Sequence, residues 1–156
     1  VVITFTNAAA DEMKERIRDT NGVFIGTIHS YANYLLKCCG YDTESYLNDE
    51  DFDKLFEEVK KHQECIKSVE HLLLDEGQDT TKQQFEFLFE MVMPDNWIIF
   101  ADHKQSIYRW NGADPQYIID LMKKDWVKTY DLNETLDELF NLVGKQELKL
   151  TKSYKI

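Results

Sequence analysis

His71-Leu72-Leu73-Leu74-Asp75-Glu76-Gly77-Gln78-Asp79, HLLLDEGQD in one-letter code, is the stretch whose reading decides the fold. A short apolar run that ends in acids reads as a buried parallel strand, and open α/β sheets place their ligand chemistry at the carboxyl ends of such strands. Adjacent carboxylates at that edge can divide the labour of nucleotide hydrolysis. Asp75 would hold a hydrated Mg²⁺, and Glu76 would orient or deprotonate the attacking water. An isolated Asp-Glu pair is more often a solvated surface pair, so the reading depends on the rest of the chain.

The 156 residues, 43% of them hydrophobic, can bury one core but not two full domains. A formal charge of −11 argues against a polycation that coats nucleic acid, although local aromatic and basic surface can still hold a single strand. Cys38, Cys39 and Cys65 form no CxxC pair and leave an odd thiol. That pattern disfavours a disulfide framework or a zinc site and fits a reducing, cytoplasmic setting. No apolar run approaches membrane-spanning length, and VVITFTNAAADEMK lacks the layout of a signal peptide, so no membrane is expected as a partner.

Strand-like apolar runs alternate with helical patterns, the signature of a doubly wound α/β layer. Val1 to Phe5 is the first strand candidate, and Asn7 is placed to cap a helix from about Ala8 to Arg18, with Asn21-Gly22 as its stop. Val23 to Thr27 reads as a second strand. Tyr31, Tyr34, Leu35 and Cys38 follow at helical spacing behind Ser30 as cap. Tyr41 to Asp51 is polar and reads as a loop, and Phe52, Leu55, Phe56, Val59, Gln63 and Ile66 trace another helical face. After the acids, Thr81 and Gln84 have capping-box spacing, and Phe85, Leu88, Phe89 and Val92 form an apolar stripe. Trp97 to Phe100 reads as a strand, Ala101 to Gln105 as a polar turn and Pro115 to Met122 as a short helix. A strand at Val127 to Tyr130, a helix from Asn133 to Val143 and an extended end through Leu148, Leu150, Tyr154 and Ile156 complete the expectation.

These residues carry a family resemblance. TFTNAAADEMKERI at Thr4 to Ile17, GTIHSYANYLLK at Gly26 to Lys37, LLLDEGQDT at Leu72 to Thr80 and ADHKQSIYRWNGADP at Ala101 to Pro115 follow the order seen in superfamily 1 DNA helicases of the UvrD/Rep/PcrA type. LTKSYK at Leu150 to Lys155 also resembles the beginning of the family's next motif. The resemblance implies an α/β fold, a parallel sheet flanked by helices that forms an incomplete RecA-like, P-loop NTPase lobe. Residues 1–149 would be part of the N-terminal lobe, with a short helical insertion near 38–70, and residues 150–156 would start the segment leading to the second lobe. The family's glycine-rich GxxGxGK loop, which cradles a triphosphate on backbone amides and lysine, does not occur in this sequence. The chain is therefore expected to be a fragment, inactive by itself, whose missing partners are an N-terminal phosphate-loop segment and a second helicase lobe.

By the same resemblance, ATP and Mg²⁺ are the expected cofactors, with Asp75 the Mg²⁺-associated aspartate and Glu76 the water-activating glutamate. Gln78 and Asp79 complete the DExQD pattern and would fix the loop through hydrogen bonds, with Gln78 also counted toward the nucleotide site. Gln105 resembles the glutamine that senses the γ-phosphate, and Lys155 stands where the family usually has a phosphate-contacting arginine. Single-stranded DNA is the expected partner. A sequence-tolerant track needs flat groups for bases and small polar groups for phosphates. Phe5, Tyr108 and Trp110 are the stacking candidates, while Thr6, Asn7, Thr27, His29 and Ser30 are the backbone-contacting ones. Phe5 and Tyr108 could equally be core, and a lone His29 is more often structural than catalytic. Ala8 replaces a common lysine and Asn111 a usual arginine, and both changes remove positive charge. An ATP-dependent DNA helicase or translocase, of the kind that serves DNA repair, leads. A non-catalytic helicase-like DNA- or protein-binding module stands second, and a metal-dependent nuclease on Asp75, Glu76 and Asp79 third.

Overall fold

A computed structural model of the chain describes residues 1–44, 52–102, 112–125 and 127. The chain divides into Val1–Asp120 and Leu121–Ile156; the first unit carries the sheet, and most of the second lies outside the described residues. The strand, helix and extended segment expected beyond Val127 lie there too.

Four strands, β1 (Val2–Thr4), β2 (Ile25–Thr27), β3 (His71–Leu74) and β4 (Asn96–Ile99), form one sheet in the order β2-β1-β3-β4. Every pairing is parallel. This is the α/β architecture expected from the alternation of apolar runs and helical patterns. The strands are shorter than their apolar runs suggest. Phe5 and Val23 lie outside the ladder, and β4 begins one residue early at Asn96.

Two helices leave their strands almost without a loop. α1 (Asn7–Arg16) is capped by Thr6, not Asn7: Thr6 is extended (φ −124, ψ 152) and its hydroxyl accepts from the Ala9 amide at 3.1 Å. A β-branched residue just beyond β1 favours extended backbone, which leaves Asn7 as the first helical residue. α1 also stops at Arg16 rather than at Arg18, because Ile17 turns extended; Asn21-Gly22 instead turns the chain into β2, with Gly22 at φ +72. α2 (Ile28–Cys38) is capped by Thr27, the last residue of β2, and not by Ser30, whose amide donates to the Thr27 hydroxyl at 3.2 Å.

α3 (Phe52–Lys61) packs on α2, and the core forms from Ile3, Tyr31, Leu35, Leu36, Leu55, Phe56, Val59, Leu72 and Leu74. Gln63 leaves the expected α3 face because a 3₁₀ turn over Gln63–Cys65 replaces the helix there, and Cys65 is buried in its place. α4 (Lys82–Phe85) starts with the expected capping box, in which the Gln84 side chain accepts from the Thr81 amide at 2.9 Å and the Gln84 amide donates to the Thr81 hydroxyl at 3.3 Å. A π turn over Glu86–Met91 then follows, closed where the Val92 amide reaches the Phe87 carbonyl at 3.0 Å. The extra residue per turn rotates the apolar stripe. Phe87, absent from the expected stripe, is fully buried against Phe56 with ring centroids 5.0 Å apart, while Phe85 and Phe89 are only half-buried. α5 (Gln116–Met122) falls where the short helix was expected. Among the described residues, no helix is long and apolar enough to cross a membrane.

Candidate functional site

Because the strands are parallel, their carboxyl ends share one edge of the sheet. The register pairs Thr4 with Thr27, Ile3 with Leu74 and Leu74 with Ile99. Continuing each ladder by one residue sets Thr27, Thr4, Asp75 and Phe100 abreast, and the Asp75 amide donates to the Ile3 carbonyl at 2.9 Å. The segments singled out from sequence therefore leave the sheet side by side: Phe5-Thr6-Asn7 from β1, Thr27 to Ser30 from β2, and Asp75 to Asp79 from β3.

Asp75 is half-buried and Glu76 exposed. Glu76 adopts the left-handed conformation (φ 52, ψ 43), which an L-residue without glycine's freedom holds only at a cost of about 1 kcal/mol or more. A 3₁₀ turn over Gly77–Asp79 carries the chain inward, and Gly77, Gln78 and Asp79 are all buried. Gln78 is 1% exposed; its Nε2 donates to Glu76 Oε2 at 2.6 Å and its Oε1 accepts from the Asp102 amide at 2.9 Å. Among the described residues, Glu76 Oε1 has no hydrogen-bond donor.

Asp79 Oδ1 is buried without a hydrogen-bond partner, an arrangement that costs free energy and marks a place that seeks a donor or positive charge. Burial, and secondarily the Glu76 carboxylate, push both Asp75 and Asp79 above the ordinary aspartate range. For Asp75 a hydrogen bond from the Glu76 amide partly opposes the rise. Crowded acids of this kind are completed electrostatically by a cation, so the donor set fits a hydrated Mg²⁺ on Asp75. Among the described residues, no group of three or more His, Cys, Asp and Glu side chains is arranged to hold a metal ion.

The raised acids make stability fall with pH. Below the ordinary range near 3.8 both folded and unfolded chains keep these protons and the groups are neutral to stability. As pH rises from there to the raised native values the unfolded chain releases protons first, so stability drops, and above those values the cost is constant. Asp75→Asn and Asp79→Asn should each shrink this part of the pH dependence, read as the difference in thermal midpoint of the chain between about pH 4 and about pH 7. An unchanged difference in both variants would show that neither acid is strained by ionisation.

On the other two strand ends, hydroxyls serve the backbone. Thr6 and Thr27 cap α1 and α2, and the Ser30 hydroxyl donates to the Thr27 carbonyl at 2.8 Å. Asn7 is exposed at the start of α1, and Phe5 is half-buried. His29 packs its ring on Phe56 of α3 with centroids 5.3 Å apart. Two neighbouring helix amino termini at this edge offer amides and a favourable dipole to phosphate groups. Gln105, Tyr108, Trp110 and Lys155 lie outside the described residues.

Two residues of the site were not singled out from sequence. Gly77 donates its amide to the Phe100 carbonyl at 2.9 Å, and a Cβ there would lie 2.5 Å from Ile99 Cγ2. Asp102 supplies the amide that Gln78 accepts. A glycine between two acids and a glutamine was the available signal for the first; the second stood within the ADHKQSIYRWNGADP stretch, where a backbone amide carries no side-chain signal of its own.

The chain matches the UvrD/REP helicase N-terminal domain over residues 1–62 and 50–125. It is 36% identical over 113 residues to the ATP-dependent DNA helicase Rep of Buchnera aphidicola subsp. Acyrthosiphon pisum (strain APS), covering 66% of this chain and 16% of that protein. Against the ATP-dependent DNA helicase Rep of Escherichia coli (strain K12) the identity is 33% over 136 residues, 79% of this chain and 18% of that one. The ATP-dependent DNA helicase srs2 of Schizosaccharomyces pombe (strain 972 / ATCC 24843) is 35% identical over 81 residues, 47% of this chain and 9% of its own length. The matched region thus spans less than a fifth of each of these relatives.

Proposed function

The chain belongs to the UvrD/REP helicase N-terminal domain family, and from that premise we propose that it is part of the ATP-hydrolysing lobe of a DNA helicase or translocase that moves on single-stranded DNA. The observation that carries the reading is the shared edge. The Asp75–Asp79 acids and the α1 and α2 amino termini emerge abreast from one parallel sheet, so nucleotide chemistry and a nucleic-acid track would occupy adjoining strand ends.

Mg²⁺ bound with ATP would be held through water by Asp75 and would neutralise charge on the phosphates. Glu76 has one carboxylate oxygen anchored by Gln78, and its Oε1 would accept a proton from the attacking water. Thr6, Asn7, Thr27, His29 and Ser30 lie at the amide-rich helix starts that would receive the DNA backbone. Phe5 would supply one flat surface, and by family resemblance Tyr108 and Trp110 would add stacking, Gln105 would sense the γ-phosphate and Lys155 would contact phosphate. The phosphate loop and the second lobe would come from other parts of the parent protein.

The test is ATP hydrolysis by the full-length protein with and without single-stranded DNA. Hydrolysis that rises several-fold with DNA, and loses that rise in Trp110→Ala, is expected. A protein that binds DNA yet hydrolyses no ATP would favour the non-catalytic module instead.

A further inference from the structure

Gln78 is a large polar side chain with almost no exposure, and a buried primary amide is tolerated only when its donors and acceptor are satisfied. Its two ends meet chemically different partners, a carboxylate oxygen at 2.6 Å and a backbone amide at 2.9 Å. Only one amide orientation suits both: the NH₂ must face Glu76 and the carbonyl must face Asp102, so the assignment follows from the partners themselves.

The partner at the far end lies beyond β4, 24 residues along the chain. The same extension of β4 grips the turn a second time, where the Phe100 carbonyl accepts from the Gly77 amide at 2.9 Å. Residues 77 and 78 are thus tied to Phe100 and Asp102, and the free end of the tie is the Glu76 carboxylate. Glu76 itself sits in left-handed backbone, a conformation that persists only where neighbours over-determine it.

We propose that Gln78 is a positioning residue that fixes the Glu76 carboxylate and makes its orientation follow the extension of β4 at Asp102. The inference rests on the proposed function of Glu76 and adds the group that aims it. Gln78 acts through Glu76: its amide holds Oε2, leaves Oε1 as the proton-accepting oxygen, and passes any displacement of the β4 extension to it. Misplacing a catalytic group by a fraction of its working distance is enough to cost a large factor in rate without weakening substrate binding.

The experiment is a double-mutant cycle in the full-length protein, reading steady-state ATP hydrolysis at saturating single-stranded DNA. Gln78→Met keeps the length and removes the hydrogen bonds to Glu76 and Asp102; Gln78→Asn keeps an amide that is too short to span Glu76 and Asp102. Each is expected to lower kcat about tenfold or more while KM for ATP changes by less than about twofold. In a Glu76→Gln background, either change should lower kcat by less than about twofold, because the group it positions is already disabled. Loss of equal size in both backgrounds, loss confined to KM, or unchanged kcat would overturn the assignment. If Gln78→Met does not fold, Gln78→Asn reads the same cycle. A parent protein that hydrolyses no ATP would overturn the proposed function and this inference together. A parent that hydrolyses ATP and tolerates both variants overturns this inference alone.

Discussion

Glu76→Gln in the full-length protein is expected to lower ATP turnover by at least about a hundredfold while leaving ATP affinity nearly unchanged, within the usual range for loss of a general base. The geometry makes the substitution a clean one. A glutamine carbonyl at position 76 can still accept from Gln78 Nε2, so the tie to Asp102 survives and only the proton-accepting capacity is lost. Asp75→Asn should behave differently. A neutral amide is a poorer partner for a hydrated divalent cation, so affinity for Mg²⁺–ATP should fall first. It also removes the mutual repulsion with Glu76 that helps raise Asp75. ATP affinity and hydrolysis, measured side by side with saturating single-stranded DNA, separate the two roles. Near-parental hydrolysis by the Glu76→Gln protein would sink the catalytic assignment and leave this acid a structural residue of a strained turn.

Sequence gave access to those parts of the fold whose causes are local. The apolar run from His71 to Leu74 ending in acids is a strand for reasons contained in those residues, and the Thr81–Gln84 box closes within one turn. Helix starts were less legible where two good capping residues stand close together. Thr6 prevailed over Asn7, and Thr27 over Ser30, because each threonine is still extended while the next residue already turns helical. The π turn breaks helical periodicity, so no helical spacing in the sequence marks Phe87 as core. The acids of the site were visible as a chemical pattern. What controls them was not: the amide that completes Gln78 and the side chain that demands glycine at position 77 both come from the β4 strand and its extension.

That demand sets the last expected result: Gly77→Ala should destabilise the chain by about 1–3 kcal/mol, the usual range for overpacking a filled interior. Backbone freedom is not the reason, because Gly77 does not occupy the positive-φ region. Space is. A Cβ at 77 would meet Ile99 Cγ2 at 2.5 Å, with Ile118 Cδ1 at 3.4 Å and the Phe100 carbonyl oxygen at 3.5 Å behind it. Ile99 is β-branched and belongs to β4, so its methyl cannot swing away without a rotamer change or a shift of the strand. A shift of the strand would lengthen the Gly77–Phe100 hydrogen bond and slacken the tie that holds Gln78 and Glu76. Ile99→Ala removes the obstructing methyl at the cost of its own packing. In that background Gly77→Ala should therefore cost less than about half of what it costs alone, a coupling typical of residues in direct contact. Thermal or urea unfolding of the four chains gives the cycle. Additive losses would show that the crowding is relieved elsewhere, and that glycine at this position answers to something other than Ile99.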